Sequence, residues 1–164
     1  MREQLEVLAA DDFADLPTDA NWAIAIALLI FGCAVVGDQP RAARLYEMLS
    51  PYAEYCVIAG LPAVSDGSVE LFLALAAGTT DRWDLADEHF ARAMERDASS
   101  GNRAWSVHGK FEYAALLARR GDSADRERLG GLLRECLAGA TDMGMTRVVA
   151  KTKELAATAG VDLD

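Results

Sequence analysis

His108 has the most chemistry within reach. It follows Trp105 by three positions and precedes Glu112 by four. On a helix those spacings bring Trp105, His108 and Glu112 to one face. An indole, an imidazole and a carboxylate side by side make a polar patch able to grip a ligand or a peptide. The plainer reading is a partly exposed histidine stacked on the tryptophan and paired with the carboxylate, and it is the favoured one. The other histidine, His89, stands beside Glu88. A helical metal site needs a second histidine one turn on, and that position is Ala93. His89 therefore reads as a surface histidine and not a ligand.

Nucleophiles are poorly supported. Ser65, Ser68 and Ser106 lack the G-x-S-x-G elbow that would expose an activated hydroxyl. Cys56 falls in an apparent loop, but a thiol needs a neighbouring base to become a nucleophile. Cys33 and Cys136 fall on apolar faces and read as small buried hydrophobes of a reducing cytosol. No two cysteines have C-x₂-C spacing. The expectation is no catalytic residue, no metal and no cofactor. Trp22, Tyr46, Phe72, Phe90 and Phe111 recur at helical spacing and read as core. Asp11, Asp12 and Asp15 form an acidic opening. A solvated face is its default meaning, and a dock for a basic partner the minority one.

The elements that carry these residues follow from periodicity. Helices are expected at 2–14, 20–36, from Asp38 to Pro51, 68–77, 82–98, 102–120, 124–143 and 146–159. Gly37, Gly121, Gly144 and Gly160 sit where helices stop. Asp38 is a candidate N-cap with Pro40 in the following turn. Residues 52–67 are the least regular stretch, an apolar loop that must be covered or line a pocket. No alternating run suggests a strand. A small-x₃-aromatic-x₂-small pattern is clean at Ala86, Phe90 and Ala93. It has degraded echoes at Ala42, Tyr46 and Leu49 and at Leu129, Leu133 and Cys136, offset by 44 and 43 residues. Such a period signals a stack of helix pairs, a surface for holding something more than a reaction vessel.

Size and charge bound the function. The chain has 164 residues, 52% of them hydrophobic, enough for one domain with a sizeable core. Its formal net charge is −10, which argues against direct nucleic-acid binding and against an anionic membrane surface. The longest uncharged stretch, 20–37, is short of the about 20 apolar residues that a membrane span takes. It is expected to be a central helix buried on most sides. The acidic first 15 residues do not read as a secretory signal.

Segment 82–93 resembles the second helix of a tetratricopeptide repeat. With blocks 16–22, 37–46, 51–53, 67–69 and 113–122, the chain resembles the C-terminal tetratricopeptide-type region of large bacterial ATP-dependent regulators, of the STAND, LuxR-linked or cyclase-linked kinds. No G-x₄-G-K-[ST] loop is present, so the ATPase of such regulators is not in this chain. A shortened relative or a piece of a larger regulator is expected. Leu129 and Gly130-Gly131 depart from the repeat pattern and would loosen the helix there.

The resemblance and the period together imply an all-α, right-handed stack of antiparallel helix pairs, a TPR-like superhelix of about seven or eight helices in one domain, 1–164. The pairs would be 20–50, 68–98 and 102–143, with flanking helices 2–14 and 146–159. The implied function is a cytoplasmic, non-catalytic scaffold in bacterial transcriptional or signalling regulation. It would take a protein or peptide partner, or a small effector, on Trp105, His108 and Glu112 with Tyr55 and Asp66. The alternative is a small-molecule-binding protein or enzyme on a recruited scaffold, with its pocket at loop 52–67. Self-association into a homodimer is a third expectation.

Overall fold

The computed structural model describes residues 2–59 and 64–163. It is mostly helical, and the chain divides into two compact units, Met1–Ala93 and Met94–Asp164.

The first unit begins with α1 (Arg2–Leu8) and α2 (Trp22–Val36). The expected helix over 2–14 stops at Leu8, and the chain continues in turns. Asp12 and Phe13 take φ of 52° and 62°, the left-handed region that non-glycine residues seldom enter. Two anchors offset that strain. Phe13 is buried, and the Asp12 carboxylate meets Arg44 at 2.7 Å. α2 ends at Gly37, where φ is 69°, and the Asp38 amide donates back to the Cys33 carbonyl. That closure turns the chain directly into α3 (Gln39–Leu49), whose first turn is capped by the Asp38 side chain accepting from the Arg41 amide at 3.3 Å.

After a 3₁₀ turn (Ser50–Tyr52) comes a feature the sequence reading missed. Cys56–Ala59 (β1) and Val64–Ser68 (β2) form an antiparallel hairpin with a bulge between Cys56 and Ile58. β1 is continuously apolar and β2 (Val-Ser-Asp-Gly-Ser) is nearly all polar, so no alternation betrayed either. The Val57-Ile58 pair of β1 suits a strand regardless. Residues 60–63, with Gly60 and Pro62 of the expected pocket loop, lie outside the described residues. Ser68 then caps α4 (Val69–Thr79) by accepting from the Glu70 amide. Every residue of α4 is buried. It packs against both α2 and α3, and Phe72 meets Phe31 edge-on at 5.5 Å. The central helix is thus α4, and α2, expected in that role, keeps an open side. α5 (Trp83–Ser99) follows; its residues up to Ala93 belong to this unit, and among them Ala86, Phe90 and Ala93 are buried.

The second unit holds α6 (Arg103–Arg120), a 3₁₀ turn (Ser123–Asp125), α7 (Arg126–Asp142) and α8 (Thr146–Ala159). Ion pairs at opposite ends show α6 and α7 to be antiparallel. Arg103 at the start of α6 reaches Asp142 at the end of α7, and Arg120 reaches Asp125. Arg126 bonds the Gly160 carbonyl, so α8 runs antiparallel to α7. Val107, Cys136, Ala140 and Val148 form the buried centre. α6 and α7 approach closely at Gly139, where an added Cβ would lie 2.6 Å from a Val107 methyl. The Gly130-Gly131 pair, expected to loosen the chain, sits inside an unbroken α7.

Candidate functional site

The expected site residues fall into separate units. Trp105, His108 and Glu112 lie on α6 of the second unit. There the Trp105 and His108 rings contact each other, with centroids 5.3 Å apart. The expected pairing of His108 with Glu112 is not formed among the described residues. Each instead feels Lys151 of α8. Burial lowers the His108 pKa, and Lys151 adds to that. Burial raises the Glu112 pKa, with Lys151 opposing. Phe111, expected in the core, is only partly buried, and its ring carries the Lys151 ammonium at 5.8 Å. Tyr113, two residues on, is the buried aromatic of α6.

Tyr55 and Asp66 belong to the first unit, at the hairpin. Tyr55 is exposed and stands near the Tyr52 ring, while its carbonyl accepts from the Val69 amide. Asp66 is half-buried on β2. Cys56 is partly buried on β1. The two other thiols behave as the sequence implies. Burial pushes Cys33 up to about 11, with Asp38 adding to it, and burial raises Cys136.

His89 is the clearest correction. It is buried, with 5% of its surface exposed, and holds three partners. Tyr46 on α3 lies 2.9 Å from Nε2. Glu70 on α4 bonds Nδ1, and its second carboxylate oxygen accepts from Arg92 Nε at 3.0 Å. Burial lowers the His89 pKa, the bond to Glu70 opposes this, and the nearby Arg92 charge adds to the lowering. A neutral ring fits one assignment. The Nδ1–H donates to Glu70, and Nε2 accepts the Tyr46 hydroxyl proton. Arg92 Nη2, 2.9 Å from Nδ1, then faces a donor and adds only charge. This chain ties α3, α4 and α5 together. The signal for it was present in the sequence. Ala86, His89, Phe90 and Ala93 occupy i, i+3, i+4 and i+7, so His89 shares the buried stripe. The partner Glu70, 19 residues back, carries no such mark.

The sequence reading also missed a groove. Leu5, Leu8, Leu16, Ala25, Leu28, Leu29, Phe31, Gly32 and Val35 line an open cleft of about 510 Å³ along α2. Its walls are almost wholly apolar. α2 has no charged residue, yet Leu28 is 62% and Val35 73% exposed. On α1, Val7 is 75% and Leu8 47% exposed. A helix without a polar face is normally covered on all sides, and contiguous exposed apolar surface marks an interaction site. The clue in the sequence was the uncharged stretch itself.

Among the described residues no group of three or more metal-binding side chains is gathered, and no helix is long and apolar enough to cross a membrane. No protein-family model, no curated protein and no solved structure matches the chain.

Proposed function

We propose that the chain is a non-catalytic helical-repeat scaffold, a TPR-like stack of helix pairs, which docks a protein or peptide partner in bacterial transcriptional or signalling regulation. The observation that carries the reading is the groove along α2. A charge-free helix presents Leu28 and Val35 to solvent beside Leu8 and Leu16 of the preceding segment. Such a surface gains free energy when covered, at about 25 cal/mol per Å². The buried pattern residues Ala86, Phe90 and Ala93, and Leu129, Leu133 and Cys136, support the helix-pair part of the reading.

The test is a parallel capture from the native host, using the wild-type chain and a Leu28→Gln/Val35→Gln variant. The expected result is a protein retained by the first and lost from the second, with equal melting temperatures. The same proteins on both baits would overturn the groove as the dock.

A second reading places a small effector at the patch on α6. The partly buried Glu112, raised in pKa beside the Trp105–His108 pair, favours it. In that case Trp105→Ala and His108→Ala weaken effector binding and leave the melting temperature near wild type.

A further inference from the structure

The groove along α2 is apolar, and the segment that supplies its wall opposite α2, with Leu5, Leu8 and Leu16, is acidic between those leucines. Glu6 lies between Leu5 and Leu8. Asp11 and Asp15 lie between Leu8 and Leu16, and all three carboxylates are exposed. Residues 1–20 contain six acids, Glu3, Glu6, Asp11, Asp12, Asp15 and Asp19, against one cation, Arg2. The cations nearest in sequence beyond α2 are already engaged, Arg41 by Asp38 and Arg44 by Asp12.

Resting on the docking reading above, we propose that the occupant of this groove is an amphipathic helix with an apolar stripe flanked by lysine or arginine. Shape supports a helix. Leu28, Phe31, Gly32 and Val35 stand at i, i+3, i+4 and i+7, two turns of α2 rising about 10 Å. That is the row into which the ridge of a second helix fits, the helix-in-groove mode of recognition. Charge selects among occupants. A second copy of this chain would bring two acidic segments together. A fatty acid would set its carboxylate against Asp11 and Asp15, and an anionic membrane would be repelled in the same way. A basic-flanked helix satisfies the apolar groove and the acidic segment at once, and its cations also complement the negative C-terminal end of α2.

The test uses a fluorescently labelled, 18-residue peptide of leucine and lysine at helical spacing, and a leucine–glutamate peptide of the same pattern. Fluorescence anisotropy against the full chain reads the affinity. The Leu/Lys peptide is expected to bind and the Leu/Glu peptide not to. Leu28→Gln/Val35→Gln should lose about tenfold or more in affinity. Asp11→Asn/Asp15→Asn should lose about threefold and flatten the salt dependence. Both pairs are exposed, and thermal melts should confirm that they fold. Leu/Lys binding that ignores the Leu28/Val35 change would be adhesion to an acidic chain and would overturn the proposal. Equal binding of both peptides, abolished by that change, would overturn the basic partner and leave the docking groove standing. Binding of neither peptide would remove both. A wild-type dimer by light scattering that becomes a monomer on the Leu28/Val35 change would make the occupant a second copy, and that also overturns the proposal.

Discussion

α2 and α4 are both dominated by apolar residues, and they meet opposite fates. α4 is buried along its whole length although it carries a carboxylate, Glu70, near its start. α2 carries no charge and still turns Leu28 and Val35 to water. The difference lies in what surrounds each helix. α4 packs against α2 and α3, and its one charge is bonded by His89 and Arg92 of α5. α2 is packed against α3, α4 and β1, and only partly covered by the seven-residue α1. A buried charge with partners therefore sits in the fold without penalty to its logic, whereas an apolar face without cover is the anomaly. Hydrophobic composition states how much surface must be buried, and the neighbours decide by what.

The largest expected effect tests that contrast with one substitution at two places. Leu71→Ala on α4 should cost about 2–5 kcal/mol, because it empties a fully buried site. Leu28→Ala on α2 should change stability by no more than about 0.5 kcal/mol, as at other exposed positions. Urea denaturation of the two variants measures both. Similar losses would mean that α2 is covered in the isolated chain. Next in size is Glu70→Ala. It leaves a buried imidazole and a guanidinium nitrogen without their acceptor, at about 1–3 kcal/mol. The double variant Glu70→Leu/His89→Leu should recover part of that loss, since replacing both partners removes the orphaned group.

The same network gives a pH dependence. His89 is neutral and resists protonation in the folded state, while in the unfolded chain it titrates near the ordinary 6.5. The unfolded state then binds more protons, so stability is full above about pH 6.5 and falls with pH until the folded ring itself protonates. One such group contributes at most about 1.4 kcal/mol per pH unit. Burial shifts His108 the same way, so it adds to the slope. Glu112, raised in the folded state, works against it. Its protonated form favours folding below the ordinary 4.5, and that contribution is lost as pH rises through its folded value. A Glu112→Gln/His108→Gln background isolates His89, one of only two histidines in the chain. Urea midpoints in that background should still decline from pH 7 to pH 5.5. A flat profile would mean that the folded ring titrates like the unfolded one, and midpoints that rise toward pH 5.5 would mean that Glu70 keeps the ring charged.

Helix boundaries were legible wherever a local signal exists. Gly37, Gly121, Gly144 and Gly160 all adopt the left-handed φ that ends a helix, and Asp38 caps as its spacing implied. Three features were hidden because their causes are distant in sequence. The hairpin of β1 and β2 is held by cross-strand bonds that neither the unalternating apolar β1 nor the polar β2 encodes. α1 stops at Leu8 where Phe13 takes a core position and Asp12 finds Arg44, 32 residues away. His89 looked exposed because its acid partner sits on another helix. Of the candidate site, the α6 spacing did bring Trp105 against His108. The expected bond to Glu112 failed because one shared face does not fix side-chain direction, and Lys151 of α8 acts on both groups.

The smallest effect carries the comparison of covered and uncovered surface down to a single atom. Gly131 and Gly139 lie on the same helix, α7, eight residues apart. A methyl group at Gly139 would collide with Val107, and one at Gly131 would meet nothing within 4 Å. Glycine inside a helix costs roughly 0.5–1 kcal/mol relative to alanine, through the backbone freedom it retains when unfolded. Gly131→Ala should therefore stabilise the chain by about that amount, while Gly139→Ala should destabilise it by forcing α6 and α7 apart. Thermal melts of the two variants should move in opposite directions from wild type. A loss at Gly131 would mean that this face of α7 is packed against something in solution, which would make it, like the open side of α2, a surface that the chain does not cover by itself.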